Sequence, residues 1–301
     1  MKTAKKVWLI VAGSLVFVGL ALSVGAFASV GFDVHKLGTV SFTEKQSVIE
    51  EPFRNIRVEA VESDVEFVLS KDGSCKVSCV EREDVSCTVS VEDETLVVKE
   101  EKQNWFAEIG IYTQQMKTTV YLPQDTYETL SVQSASGNIS IPASLSFAQV
   151  SMESTSGNVE SEAAVEKKLF MRTVSGDVLA GQSSPLEVTA ISTSGNVSLS
   201  SMTIRDTATI KTTSGNMNIK KTCAVNEMFC SSASGQVIFE QSDAGSLRAE
   251  TISGDVSGTL LSQKLFQIQT VSGTVNVPLS QPGGGICAVN TASGDVRLSV
   301  E

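Results

Sequence analysis

The 301-residue chain holds a single histidine, His35, and six cysteines. A serine nucleophile needs an imidazole to take its proton, and His35 stands just past an N-terminal apolar run, where it reads as a juxtamembrane linker residue. The cysteines are Cys75, Cys79, Cys87, Cys223, Cys230 and Cys287, with no C-x-x-C pair among them, so the usual spacing of a zinc site is missing. Cys79 and Cys87 could face each other across a hairpin centred on Glu83, and an oxidising compartment would allow a disulfide there. Cys230 and Cys287 read as small buried hydrophobes. Asp177, Asp255 and Asp295 follow glycines, as calcium ligands do in some repeat coils, but Asn, Gln and Thr fill the same place elsewhere, which fits a turn better than a metal. The sequence thus predicts no catalytic, cofactor-binding or metal-binding residue. It does place Phe170, Ile191 and Phe229 on an otherwise polar face, as a candidate surface contact.

The element that must position these residues is a repeat. Ser-Gly recurs with glycine at Gly137, Gly157, Gly176, Gly195, Gly215, Gly235, Gly254, Gly273 and Gly294. Seven and five residues before each glycine, and two after it, the side chain is apolar in every copy, as in Leu169, Met171 and Val178. The intervening positions are mostly polar. This alternation marks strands with one buried face. Glycine would allow positive φ at the corner, and the following Asn or Asp could bond its own backbone there. A Ser or Thr stands three residues before every glycine, placed to satisfy a corner backbone group. One copy of about 20 residues cannot bury its apolar face alone, but stacked copies can. The expected fold is all-β: a parallel β-solenoid, single-stranded and β-helix-like, of about nine repeats. On the outward column four before glycine, Glu153 and Arg172 would be neighbours, an exposed pair that needs no function.

Four segments follow. Residues 1–30 carry Lys2, Lys5 and Lys6 and then an uncharged run from Val7 to Val30, long enough for a transmembrane helix. Ala26-Phe27-Ala28 also offers a signal-peptide cleavage site; the anchor is the favoured reading. Residues 31–50 read as a juxtamembrane linker. Residues 51–129 read as a degenerate capping coil, with Ser63 in the glycine slot, plus a β-meander; within it, Trp105 to Tyr112 reads as a loop or edge hairpin. Residues 130–301 form the solenoid. Net charge is −11, which argues against nucleic acid as partner.

The basic start, the single apolar span, Tyr121-Leu122-Pro123 and the S-x-S-G-[ND]-[VI] repeats resemble the bacterial "putative adhesin" family of β-strand-repeat proteins, over about residues 40–301. The resemblance implies a cell-envelope protein of unassigned function, with no catalytic residues to carry over. The expectation is therefore a non-catalytic, single-pass membrane protein. Its N-terminus would be cytoplasmic, and its extracytoplasmic solenoid would bind an envelope protein or a glycan. A sensor of envelope stress acting through a membrane partner is the alternative, and a carbohydrate-active β-helix enzyme the more distant one. No cofactor is expected. Because the chain ends at Glu301 within or just after a strand, the C-terminal coil is expected to be exposed and covered by self-association.

Overall fold

The structure is a computed structural model in which residues 16–20, 25, 42–82, 84–102, 115–281 and 283–301 are described. His35, Glu83, the segment Trp105 to Tyr112 and most of the apolar run lie outside the described residues. No helix among the described residues is long and apolar enough to cross a membrane.

All described strands belong to one hydrogen-bonded system. Each coil contributes a longer strand before its glycine and a shorter one after it. Thr126–Ser134, Ser146–Ser154 and Ala164–Thr173 pair in parallel, in register, so that Leu130, Val150 and Leu169 stack in one column. Ile139–Ile141, Val159–Ser161 and Val178–Gly181 do the same on the other side of the corner. The three apolar columns face inward and are almost fully buried through the middle of the stack. Each buried side chain contributes about 1.5–3 kcal/mol of transfer free energy before conformational entropy is set against it.

The corner differs in two respects from the sequence-based expectation. None of the nine repeat glycines has positive φ. They are required by close approach instead. A Cβ on Gly176 would lie 2.6 Å from the carbonyl carbon of Gly157 and closer still to its oxygen. The same overlap recurs along the ladder, beginning with Gly137 over Ser63, so Ser63 does occupy the glycine slot of a preceding coil. Through the middle of the stack the hydroxyl column behaves as its position implies, whereas the buried hydroxyls of Ser232, Thr251 and Thr291 have no hydrogen-bond partner among the described residues. Thr173, Ser192 and Thr212 donate to the carbonyls of Gly157, Gly176 and Gly195 at 2.9, 2.8 and 3.0 Å. The Gly137 and Gly157 N–H groups donate to Ser134 and Ser154 of their own coils.

The residue after glycine forms a second ladder, between coils rather than within one. The Oδ1 of Asn138, Asn158, Asp177 and Asn196 accepts the backbone N–H of Asn158, Asp177, Asn196 and Asn216 at 2.7–3.0 Å. Only an acceptor oxygen at that reach is needed, which is why Asn and Asp alternate there.

At both ends, spatial order departs from chain order. Asn55–Ala60 lies between Thr129–Ser134 and Thr95–Lys99, so the coil made of Thr95–Lys102 and Lys117–Leu122 lies outside the earlier one. Phe42–Ile49 and Cys75–Arg82 then run antiparallel across it as a cap. At the far end, Val237–Thr251 pairs with Ile286–Ser293, not with Leu265–Ser272. Ile286–Ser293 pairs in turn with Leu265–Ser272. The corner stack therefore runs Gly254, Gly294, Gly273. The expectation that the chain's last coil ends the stack is thereby corrected: Val296–Val300 is held between Val256–Leu260 and Val275–Asn276.

Two features fix this inversion. Lys264, 1% exposed, reaches from the outermost coil through both coils beneath it. Its Nζ donates to the carbonyls of Gly284 and Ala244 and pairs with Asp243. The return segment carries Gly283 and Gly285 at φ 114° and 86°, where side chains are strained. A Cβ on Gly284 would collide with the backbone of Gln263.

Candidate functional site

The outward residues two and four before each glycine line a shallow groove across the distal coils. Its floor is the hydroxyl column, from Ser192 to Thr291. Its rims carry Lys211, Glu250, Gln269 and Asn290 among polar groups, and Ile252 and Val271 among apolar ones. Ile252 is 64% exposed and Val271 88%. In spatial order Ala233, Ile252, Ala292 and Val271 follow one another as an apolar stripe, and the coil inversion places Ala292 between the two large side chains. Glu250 is the one carboxylate in the groove, and Arg248 donates to it at 2.9 Å. Glycoside hydrolysis uses a pair of carboxylates, one as acid and one as base or nucleophile; this groove supplies one, already engaged.

The three predicted contact residues are dispersed. Ile191 lies at the near end of the groove. Phe170 stands opposite Ser151 and Thr189 on neighbouring coils, half-buried. Phe229 lies in the same column, three coils further on, between Thr209 and Arg248. Lys211 Nζ and Arg248 Cζ approach its ring at 5.5 and 5.4 Å, a cation–π arrangement that covers it. Glu153 and Arg172 are in register on adjacent strands, as expected.

At the proximal cap the Sγ atoms of Cys79 and Cys87 lie in bonding contact, with Cα atoms 6.4 Å apart. They are not partners in a continuing hairpin ladder. Cys75–Arg82 and Val85–Glu92 touch only at Arg82 and Val85; Cys79 then sits beside Lys45 and Thr118, and Cys87 beside Glu100. The pair spans two strands that splay apart. Nearby, Arg82 binds Asp84 and Glu62, and Lys102 binds Glu62. Burial pushes the Glu62 carboxyl up, but hydrogen bonds from Lys102 and Arg82 outweigh it and hold the carboxyl below its usual range. Arg82 likewise lowers Asp84, chiefly through its hydrogen bond.

The remaining thiols lack what a nucleophile needs. Burial pushes Cys75 up to about 11 and Cys287 up to about 12, whereas reactive cysteines have depressed values. Among the described residues no three His, Cys, Asp or Glu side chains cluster to hold a metal ion; the carboxylates of Asp177, Asp255 and Asp295 accept backbone N–H groups of neighbouring coils.

Sequence reasoning missed Ile252, Val271, Lys264 and Asp243. A signal was present. From Val256 to Gly294 the only charged residue is Lys264, and the last repeat spacing, the longest at 21 residues, contains Gln281-Pro282-Gly283-Gly284-Gly285.

A family model described as Toastrack DUF4097 matches residues 53–299. Among solved structures, a putative lipid binding protein from Parabacteroides distasonis matches with a TM-score of 0.56 at 16% identity, covering 85% of this chain and 97% of its own. A putative adhesin from the same species matches at 0.53 and 12%, covering 86% and 98%. A putative adhesin from Bacteroides fragilis matches at 0.47 and 14%, covering 87% and 99%. At these identities the likeness shows the fold alone. No curated protein matches.

Proposed function

The chain belongs to the Toastrack DUF4097 family, and from that premise we propose that it is a non-catalytic cell-envelope protein whose solenoid is an adhesion or binding scaffold. Residues 7–30 anchor it in the membrane, with the N-terminus cytoplasmic and the solenoid outside. The observation that carries this reading is the distal groove. Hydroxyls, amides and exposed aliphatic side chains are spread over several coils, without paired carboxylates or an activated nucleophile. Such a surface suits a glycan or an envelope protein, which it would contact repeatedly at the coil spacing of about 4.8 Å.

The test uses the full-length chain on intact bacterial cells, with crosslinking, against a chain lacking residues 1–30 and a groove variant, Lys211→Ala with Ile252→Asp. Capture of one envelope component by the anchored chain, lost in the groove variant, is expected. Capture indifferent to the groove variant, or glycan turnover by the purified protein, would overturn the reading.

A further inference from the structure

We propose that the open end of the stack is a self-association face: a second copy of this chain docks end to end, with Leu265–Ser272 pairing antiparallel to the same strand of its partner. The inference goes beyond the scaffold reading and does not rest on it. Among the described residues, Leu265–Ser272 is paired on one side only, to Ile286–Ser293, and Val275–Asn276 only to Val296–Val300. The core columns show the missing neighbour. Leu247 and Ala249 are fully buried two coils inside, whereas their counterparts Phe266 and Ile268 are half-buried. The Phe266 N–H finds Ser280 Oγ at 3.0 Å, so the return segment covers one corner of the end and leaves the rest of the strand open.

Natural edge strands are blunted by charge, proline or a covering element. The proximal end follows that rule, with two antiparallel strands and the ion pairs Lys45–Glu81 and Lys76–Asp72 over it. The distal end does not. Residues 265–276 contain neither proline nor charge, and the sole charge between Asp255 and Asp295 is Lys264, buried against Asp243.

That neutrality selects the occupant. Two copies of a chain of net charge −11 repel over most of their surface; at this end they meet without repulsion and present each other the same apolar columns. A two-fold axis makes the contact isologous and closed, and the capped proximal ends stop it from growing into a filament. The face is one coil in cross-section, below the roughly 800 Å² per partner of a standard interface, so the dimer is weak and concentration-dependent. Its two proximal caps lie at opposite extremes of the dimer.

The test is light scattering of the full-length chain in detergent over a concentration series, beside the variant Gln267→Lys with Asn276→Lys. Both residues are exposed on the edge and outside the groove. A monomer–dimer equilibrium is expected, weakened at least about tenfold by the lysines, with an unchanged melting temperature. A cysteine at Gln269 should be captured as a dimer by a short bismaleimide, and one at Thr43 on the proximal cap should not. A wild-type monomer throughout, a dimer indifferent to the lysines, or crosslinking at Thr43 alone would overturn the proposal. So would a wild-type chain that stays monomeric and binds phosphatidylcholine vesicles through this end.

Discussion

Replacing Gly176 with alanine isolates the feature on which the stack depends. The added Cβ would lie 2.6 Å from the Gly157 carbonyl carbon and 3.0 Å from the Asn158 nitrogen, both backbone atoms of the coil beneath. Backbone cannot rotate away as a side chain could, so the two corners must separate by about 1 Å to reach ordinary van der Waals contact. That separation strains three hydrogen bonds: Thr173 to Gly157 at 2.9 Å, Asp177 N–H to Asn158 at 2.9 Å, and Ser175 N–H to Thr155 at 2.9 Å. At about 1 kcal/mol each when weakened or lost, with about 1–3 kcal/mol for overpacking, the expected destabilisation is about 4–6 kcal/mol. Urea denaturation followed by far-UV circular dichroism measures it. Gly73→Ala is the control, because a Cβ there meets nothing within 4 Å and only its φ of +71° is unfavourable; that costs about 1 kcal/mol. Asparagine, which tolerates positive φ, should rescue position 73 and not position 176. Equal small losses at both positions would refute close approach as the reason for the repeat glycines.

Lys264→Met removes the buried cation that ties three coils together and leaves the half-buried Asp243 without its ionic partner; a loss of about 3 kcal/mol is expected, with hydrogen exchange accelerating first in residues 265–276. Reduction of the Cys79–Cys87 contact, or Cys87→Ser, should destabilise the proximal cap by about 2–3 kcal/mol through the closed loop alone, read as a lower melting temperature in reductant. At the same cap, the folded-state pKa values of Glu62 and Asp84 lie below their ordinary values of 4.5 and 3.8. Their contribution is therefore complete above about pH 4.5 and lost as pH falls through the depressed values. Melting temperatures taken from pH 7 to pH 3 should fall, and Arg82→Gln should flatten that fall.

Much of the fold was legible because a repeat displays its constraints many times over. The apolar columns at Leu169, Met171 and Val178 repeat with a parity only a strand explains, and the hydroxyl three before each glycine has one nearby class of partner. The reason for glycine was not legible, because a residue demanded by a neighbouring coil and one demanded by its own φ look alike in one chain. Coil order was hidden for a related reason: Gly254, Gly273 and Gly294 carry equivalent motifs, and nothing in a periodic pattern says which copy stacks on which. The deciding contacts, Lys264 to Asp243 and to two carbonyls, are single and long-range. The groove was only partly legible. Ile191 was identified, but Ile252 and Val271 stand in a column otherwise mostly of Ala and Thr, and Phe229 lost its exposed appearance once Lys211 and Arg248 folded over it.

The inversion of the last two coils decides which strand forms the open end of the stack, and cysteine pairing tests it directly. Ser257, Arg297 and Asn276 occupy the same outward position on three coils, with Ser257 beside Arg297 and Arg297 beside Asn276. Adjacent strands place Cα atoms about 5 Å apart, within disulfide reach, while a skipped coil places them near 10 Å, beyond it. Ser257→Cys with Arg297→Cys should therefore oxidise to an intramolecular disulfide, and Ser257→Cys with Asn276→Cys should remain reduced. A disulfide between positions 257 and 276, with none between 257 and 297, would show that the coils stack in chain order and would contradict the account.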